Sequence, residues 1–327
     1  MSDLYKIPND DGKGYRLKKF VEYQHEVPSI HYRFLGEYLK RKKMTKDEAV
    51  NMCYLMSVTY NELTCILLYE LMKKYSPEEL WKKYKDKLVF GSARKYAKNN
   101  DQFVQLIKDW EDETNRMPYE WLISQSKPSE VQTCLNVQRK IKNIANVGRF
   151  ASDLFIEMLV YIQGYTGVKI KEPAKIDWKN CANLTSGIFN IFYEDERANA
   201  FDKKKKLTEK EILYLTSRLR IIQKEIQKQY PDQDSEISMF IGKICSFRNL
   251  FKNARYGGFH HDRQLGILKQ YEKDFQMYKD IWKECYDLRA ELFPDRFLGE
   301  KHGWDGIRKD RKKIWLTTGK TGVENER

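Results

Sequence analysis

The stretch from Arg255 to Arg263 is dense in side chains that can do chemistry. It carries Tyr256, His260 and Asp262 in addition to the two arginines, and two glycines interrupt its helical context. Histidine and aspartate can move protons near neutral pH, and arginine forks bind phosphate groups. We predict a site in this loop, with His260 catalytic and the other four residues binding substrate. The alternative is an ordinary loop in which Asp262 caps the next helix.

A second candidate lies in residues 45–74, which we predict to form one helix. The polar residues Thr59, Asn61 and Glu62 interrupt its otherwise apolar pattern. This interruption marks Glu62 as a candidate catalytic residue and Asn61 as a candidate substrate-binding residue. The alternative is that Glu62 is a polar residue paired inside a helical bundle.

A third candidate is a hairpin of two helices that meet in a turn at residues 144–148. The N-terminus of the second helix presents backbone N–H groups, and its dipole favours an anion there. A glycine in the turn lets a phosphate approach the backbone closely. The alternative is a helical hairpin without a ligand. The residues predicted to contact the DNA backbone are Arg139, Lys142, Asn146, Gly148 and Arg149.

The elements that must position these candidates are helices. Gly and Pro are sparse, at 17 and 8 residues. A Ser or Thr followed three residues later by Glu or Gln indicates a helix start, and this pattern occurs at Thr45, Ser76, Ser129 and Thr208. Apolar residues recur three and four positions apart in 45–74, 129–144, 149–163, 208–229, 234–254 and 262–292. This spacing predicts an all-α fold, a bundle of about a dozen helices.

Composition narrows the function classes. The 327 residues carry a net charge of +13, which favours a polyanionic partner, with nucleic acid ahead of membranes. No apolar run is long enough to span a membrane, and no signal-peptide core is present, so we expect a cytoplasmic protein without a membrane partner. The six cysteines are scattered without Cys-x-x-Cys spacing, which indicates reduced, buried thiols and no structural zinc site.

Polar and charged stretches divide the chain into three consecutive segments. We predict an N-terminal helical region over 1–128, a helix-hairpin-helix module over 129–200, and long C-terminal helices with a basic tail over 201–327. No metal ligand set is predicted, because adjacent histidines such as His260 and His261 point in different directions.

The hairpin resembles the helix-hairpin-helix of the DNA glycosylase superfamily. Ile144, Ala145, Asn146, Val147 and Gly148 occupy the places of that family's Leu-Pro-Gly-Val-Gly motif, without its proline and first glycine. In that family a catalytic aspartate follows the hairpin and opens another helix. The segment Ile176-Asp177-Trp178-Lys179-Asn180 resembles this context. The resemblance implies a chemical role for Asp177, whereas an N-cap is the alternative.

Three motifs together resemble phage enzymes of thymine hypermodification, namely amino acid:DNA transferases and glutamyl- or putrescinyl-thymine pyrophosphorylases. They are His31-Tyr32-Arg33-Phe34, the polar stretch 57–64, and the Tyr-Gly-Gly-x-x-x-Asp-Arg pattern at 256–263. The resemblance implies that an amine replaces the pyrophosphate of pyrophosphorylated 5-hydroxymethyluracil in double-stranded DNA, on a flipped base. The amine would be a free amino acid or a polyamine. No cofactor is implied, and whether a divalent metal accompanies the pyrophosphate stays open.

The proton of the attacking amine needs an acceptor, and Asp177, Glu62 and His260 are the candidates. Two other functions stay open at this point. A base-excising glycosylase would use Asp177 to stabilise a cationic sugar, and a non-catalytic DNA-binding protein would use the basic surface alone. If the chain is phage-encoded, its compartment is the host cytoplasm.

Overall fold

The structure is a computed structural model that describes residues 16–18, 20–21, 30–91, 94, 97–98, 101–144, 147–170, 178, 182–192, 194–204, 207–231, 244 and 259–293. Fourteen α-helices and one 3-10 helix have defined bounds in these ranges, and no strand occurs among the residues described. The predicted all-α fold is therefore confirmed. Its likeness to the glycosylase bundle stays a prediction.

The chain folds into two compact units. The first unit contains residues 1–29, 175–265 and 294–327, and the second contains 30–174 and 266–293. Each unit therefore combines separate parts of the sequence. The three consecutive segments predicted from the sequence divide the chain differently, and they stay a prediction.

Most of the described helices belong to the second unit. They are α1 (Ile30–Arg41), α2 (Lys46–Thr59), α3 (Glu62–Met72), α4 (Pro77–Tyr84), α5 (Phe103–Thr114), α6 (Pro118–Ser124), α7 (Glu130–Asn143), α8 (Arg149–Tyr161) and α9 (Gln163–Thr166). The first unit contains α10 (Ala182–Ile191), α11 (Asp195–Lys204) and α12 (Glu209–Gln229). Helix α13 (Phe259–Asp274) begins in the first unit and ends in the second, which also holds the 3-10 helix Gln276–Tyr278 and α14 (Lys279–Leu292).

Helix α2 is the central helix of the second unit, and its residues 52–59 are all buried. It packs against α3, α6 and α8. The Tyr54 ring stacks on Trp110 with centroids 4.4 Å apart, and Phe155 of α8 meets Trp110 edge-on at 5.6 Å. Each such aromatic pair contributes about 0.5–1.5 kcal/mol beyond its area burial. The cluster therefore fixes the position of α8 against α2.

The first unit has an apolar core of its own. Leu215, Leu219, Ile222 and Ile226 form the buried face of α12, which packs against α10. These four residues are three or four positions apart, as an amphipathic helix requires. The opposite face of α12 is consequently left for solvent.

Several sequence predictions about helix ends are confirmed. Thr45, Ser76 and Thr208 each form a complete capping box, and Ser129 accepts a hydrogen bond from the Gln132 N–H. Two predicted long helices are wrong. The run 45–74 breaks at 60–61 into α2 and α3, and the run 262–292 breaks at Phe275. Apolar residues continue on both sides of each break, and the polar residues Thr59, Asn61 and Glu62 were interpreted as an interruption within one helix. The predicted run 234–254 lies almost entirely outside the described residues.

The described cysteines are Cys53, Cys65, Cys134 and Cys285, and all four are buried without a disulfide. This confirms the predicted buried thiols at these positions, while Cys181 and Cys245 lie outside the described residues. Burial raises the pKa of the Cys53, Cys65 and Cys285 thiols well above the ordinary value. These thiols are therefore protonated and unreactive in the folded protein.

Candidate acid–base site

The break between α2 and α3 forms one wall of the site. Tyr60 ends α2 in a left-handed backbone conformation, with φ 50° and ψ 43°, and its N–H donates to the Met56 carbonyl at 2.8 Å. Asn61 then caps α3, because its side-chain oxygen accepts from the Thr64 N–H at 2.9 Å. A left-handed tyrosine costs about 1–2 kcal/mol, so the surroundings must hold it in place.

The segment around residue 91 supplies that support. The Gly91 N–H donates to the Thr59 carbonyl at 2.7 Å, and the Arg94 Nε donates to the Val58 carbonyl at 3.1 Å. These bonds satisfy carbonyl groups that the end of a helix leaves open. A Cβ at residue 91 would lie 2.5 Å from the Tyr60 carbonyl oxygen and 2.8 Å from its Cβ. Only glycine permits this close approach.

A buried polar network holds the start of α3. The Thr64 hydroxyl lies 2.6 Å from the Val89 carbonyl oxygen and 2.7 Å from the Tyr271 hydroxyl. That Tyr271 hydroxyl in turn accepts from the Val89 N–H at 2.8 Å. Satisfied buried networks of this kind rigidify their surroundings. The first turn of α3, which carries Glu62, is therefore fixed on two sides.

Glu62 and His31 form a buried pair between α3 and α1. The Glu62 Oε2 lies 2.5 Å from the His31 Nδ1, and the two side chains are 1% and 12% exposed. Glu62 lies in the first turn of α3, where the helix dipole favours a carboxylate. The His31 ring also contacts the Tyr60 ring, with centroids 5.3 Å apart. The carboxylate thus orients the largely buried imidazole.

Tyr32 and Glu157 form a second pair between α1 and α8. The Tyr32 hydroxyl donates to the Glu157 carboxylate in a short hydrogen bond. Burial raises the pKa of Glu157 to about 7, and the nearby charge of Asp153 adds to this rise, whereas the Tyr32 hydrogen bond opposes it. Burial and the Glu157 charge also raise the pKa of Tyr32 well above its ordinary value. Glu157 can therefore both accept and donate a proton near neutral pH.

Tyr60 connects the two pairs. Its ring contacts His31, and its phenol is close enough to Tyr32 that its ionised form would raise the pKa of Tyr32. We call His31, Tyr32, Tyr60, Glu62 and Glu157 the acid–base cluster. Two carboxyl groups in different environments, one paired with an imidazole and one with a tyrosine, are typical of sites that divide acid and base roles. Perturbed pKa values of this kind also occur preferentially at functional sites.

The predicted hairpin is present in the second unit as α7 and α8, which pack against each other. The Gln138 side-chain amide donates to Asp153 at 3.0 Å across the two helices. Arg139 and Lys142 are exposed on α7. Gly148 is exposed at the start of α8, where no side-chain hydrogen bond caps the helix. A Cβ at residue 148 would meet no atom within 4 Å, so the backbone there is open to a ligand.

Helix α8 links the hairpin to the acid–base cluster. Glu157 follows Arg149, the first residue of α8, by eight positions. At 1.5 Å per residue, this spacing corresponds to about 12 Å along the helix axis. The hairpin turn and the acid–base cluster therefore lie toward opposite ends of α8.

Several predicted site residues lie outside the described parts of the chain, namely Asn146, Asp177, Arg255 and Tyr256. His260, Asp262 and Arg263 belong to the first unit. The prediction of a loop over 255–263 is wrong from residue 259 onward, because α13 already begins at Phe259. Asp262 is buried, whereas His260 and Arg263 are partly exposed. Their predicted roles in catalysis and substrate binding stay predictions.

Glu62 and Asn61 are placed differently from each other. Glu62 belongs to the acid–base cluster, whereas the Asn61 side-chain oxygen accepts two hydrogen bonds from Thr64, at 2.9 and 3.0 Å. Asn61 thus has a structural role as a helix cap, and substrate binding by it stays a prediction. Among the residues that the structure describes, no group of three or more His, Cys, Asp or Glu side chains is arranged to hold a metal ion.

Sequence reasoning did not single out His31, Tyr32, Tyr60 or Glu157 as site residues. His31 and Tyr32 entered only as part of a motif, and nothing in the sequence near them indicates their distant partners. One signal was present in α8, whose only acidic residues are Asp153 and Glu157, four positions apart on an otherwise apolar helix. Acids at that spacing share one face of a helix, which indicates polar partners on a neighbouring helix.

Comparison of the chain with protein-family models, curated proteins and solved structures finds no match. The resemblance to thymine-modifying enzymes therefore depends on the sequence motifs alone. No helix in the described ranges is long and apolar enough to cross a membrane.

Proposed function

We propose that this protein is a DNA-modifying transferase that replaces the pyrophosphate of pyrophosphorylated 5-hydroxymethyluracil with an amine. The observation that carries the proposal is the buried pair of Glu62 and His31, with Nδ1 and Oε2 2.5 Å apart beside Tyr60. A carboxylate that orients an imidazole is an arrangement suited to general-base catalysis. Glu62 was already a candidate base on sequence grounds, alongside Asp177 and His260.

The reaction needs one proton acceptor. The neutral amine nitrogen attacks the exocyclic carbon of the base, the new C–N bond forms, and the C–O bond to pyrophosphate breaks. The bonding pair leaves with pyrophosphate, and the nitrogen gives up one proton. In the proposal His31 takes that proton, and Glu62 stabilises the resulting imidazolium at a site that is largely shielded from water.

Glu157 and Tyr32 have a complementary role in the proposal. A carboxyl group with a pKa near 7 can hold a proton before the reaction and exchange it with solvent afterwards. Tyr32 orients it through the short hydrogen bond. That Arg255 and Arg263 bind the departing pyrophosphate stays a separate prediction from the sequence.

Double-stranded DNA is the proposed macromolecular substrate. The net charge of +13, the exposed Arg139 and Lys142, and the open backbone at Gly148 support binding of the phosphate backbone at the hairpin. The reacting carbon lies on a base within the stack, so the nucleotide must be extruded before attack, at a cost of a few kcal/mol.

The test is mass spectrometry of nucleosides from pyrophosphorylated 5-hydroxymethyluracil DNA after incubation with the protein and a mixture of amino acids and polyamines. We expect a nucleoside whose mass equals 5-hydroxymethyldeoxyuridine plus one amine minus water, and its loss in Glu62→Gln. The matched control is Glu78→Gln, which changes an exposed glutamate paired with Lys108.

Two other outcomes overturn the proposal. Abasic sites that break in alkali identify a base-excising glycosylase. Tight DNA binding without any change in nucleoside mass, at every amine tested, identifies a non-catalytic DNA-binding protein.

A further inference from the structure

The outer face of α12 in the first unit carries a stripe of positive charge. Lys210, Arg220, Lys224 and Lys228 are all exposed. Arg220, Lys224 and Lys228 follow Lys210 by 10, 14 and 18 positions. At 100° per residue, the four residues lie within an arc of about 80° around the helix axis. Eighteen residues also span about 27 Å of helix. The four cations thus lie along one side of the helix, and we call them the α12 stripe.

The α12 stripe lies opposite the buried face of the same helix. Leu215, Leu219, Ile222 and Ile226 fill the first unit's core, so the orientation of α12 is set by burial rather than by its charges. None of the four cations forms an ion pair with any residue in the described ranges. All four side chains are also exposed, as contact with an outside partner requires.

Arg218 shows what a cation with a structural role looks like on this helix. Its guanidinium stacks on Tyr214 and Phe192, at 4.7 and 4.6 Å from the ring centroids, and approaches Glu194 at 4.0 Å. The stripe residues make no such contacts with described residues. Arg218 therefore stabilises the fold, whereas the side chains of the α12 stripe face outward.

Acidic residues are displaced from the stripe. Glu209 and Glu211 lie in the first turn, where Glu211 completes the Thr208 capping box and both suit the helix dipole. Glu225 is partly buried on the flank of the helix. The last four turns therefore present positive charge without an interspersed acid on the exposed arc.

We infer that the α12 stripe binds the phosphate backbone of duplex DNA, as a second contact surface in addition to the hairpin. A row of cations about 27 Å long spans the length of about eight base pairs, at 3.4 Å per step. This inference rests on the proposed function for its choice of polyanion. A membrane surface fits less well, because α12 buries its apolar face and exposes only Leu213 and Ile221 as large apolar residues.

The test measures binding of the full chain to an unmodified 20-base-pair DNA duplex between 50 and 300 mM salt. The stripe variant combines Lys210→Gln, Arg220→Gln, Lys224→Gln and Lys228→Gln. The control variant makes the same change in charge on exposed lysines of the second unit, with Lys82→Gln, Lys269→Gln, Lys279→Gln and Lys283→Gln. Melting curves verify that both variants fold.

We expect the stripe variant to bind about 100-fold more weakly at 100 mM salt. Its slope of log affinity against log salt should fall by about 3 to 4, since each phosphate contact contributes about 0.9. The control should change affinity by less than about threefold. Equal losses in both variants would mean that only bulk charge matters, and would overturn the inference.

Two further outcomes distinguish this inference from the proposed function. If the parent protein binds DNA and the stripe variant binds it equally well, the stripe inference fails while the proposed function stands. If the parent protein does not bind DNA at any salt concentration, both fail. Vesicles of phosphatidylserine and phosphatidylcholine provide the last arm, where a loss confined to vesicle binding would reassign the stripe to membranes.

Discussion

The Glu62 carboxylate and the His31 imidazole lie 2.5 Å apart although 31 positions separate them in sequence. The break after α2 makes this contact possible, because a continuous helix over 45–74 would not begin a new first turn at residue 62. Glu62 thereby gains a helix N-terminus as well as a histidine partner. Both features stabilise the ionised carboxylate that the proposed base requires.

The first prediction concerns the pair as a unit. Glu62→Gln and His31→Asn should each lower single-turnover transfer by about 100- to 10,000-fold, the range for loss of a general base. The double variant should be no worse than the more damaging single variant, because either change disables the same proton transfer. Rapid-quench assays on modified DNA measure all three. Multiplicative losses would show that the two residues act independently.

The second prediction concerns stability against pH. The pKa of Glu157 is about 7 in the folded protein and near its ordinary value when unfolded. Between about pH 4.5 and 7 the folded state therefore holds a proton that the unfolded state has lost. The free energy of unfolding should fall as pH rises through this window, by at most about 3 kcal/mol.

Glu157→Gln removes that titration. Urea unfolding at pH 5 and pH 8 should show the parent protein losing stability relative to the variant as pH rises. Glu78→Gln is the control, since burial plays little part for that exposed carboxylate. If the free energies of unfolding of the parent protein and Glu157→Gln differ by the same amount at both pH values, the pKa of Glu157 is not raised.

The third prediction concerns Gly91. An alanine there would place its Cβ 2.5 Å from the Tyr60 carbonyl oxygen, and backbone on both sides would have to shift. We expect Gly91→Ala to destabilise the protein by about 1–3 kcal/mol, as other overpacked positions do. Transfer activity should fall as well, because Tyr60 would move relative to His31.

Gly164 provides the control for that substitution. It lies in α9, is exposed, and a Cβ there would meet no atom within 4 Å. Gly164→Ala should therefore be neutral or slightly stabilising. Thermal melts of the two variants measure the contrast, and equal melting temperatures would contradict the close approach at Gly91.

The fourth prediction concerns the hairpin. Gly148→Asp should weaken binding to duplex DNA by about tenfold or more, because it places an anion at the proposed phosphate site. Aspartate is itself a favourable N-cap, so the variant should be at least as stable as the parent protein. Gel-shift titration and a melting curve measure both effects. Weaker binding accompanied by lower stability would favour a purely structural turn.

Local sequence signals predicted four of the helix starts, at Thr45, Ser76, Ser129 and Thr208. Thr45, Ser76 and Thr208 act within three residues of themselves, so their capping boxes could be recognised without knowledge of the fold. The hairpin was predictable for the same reason, since α7 and α8 are neighbours in sequence. These features depend on short-range hydrogen bonds and on periodicity.

The acid–base cluster could not be predicted in this way. Glu157 and Tyr32 are separated by 125 positions, and their contact follows from how α1 and α8 pack. The break at Tyr60 depends on Gly91 and Arg94, which satisfy helix carbonyls from a different part of the chain. Apolar side chains on both sides of the break continue one periodic pattern, so periodicity predicted a single helix. Tertiary hydrogen bonds overrode it.

The four described cysteines can be used to measure local unfolding of the second unit. Cys53, Cys65, Cys134 and Cys285 all lie in that unit, and a thiol reagent can reach them only when the surrounding helices separate. In a chain with serine at positions 181 and 245, the labelling rate would thus follow the transient unfolding of the helices that carry the acid–base cluster. Amine or DNA binding that slows the labelling of Cys65, three residues after Glu62, would be detectable without any assay of turnover.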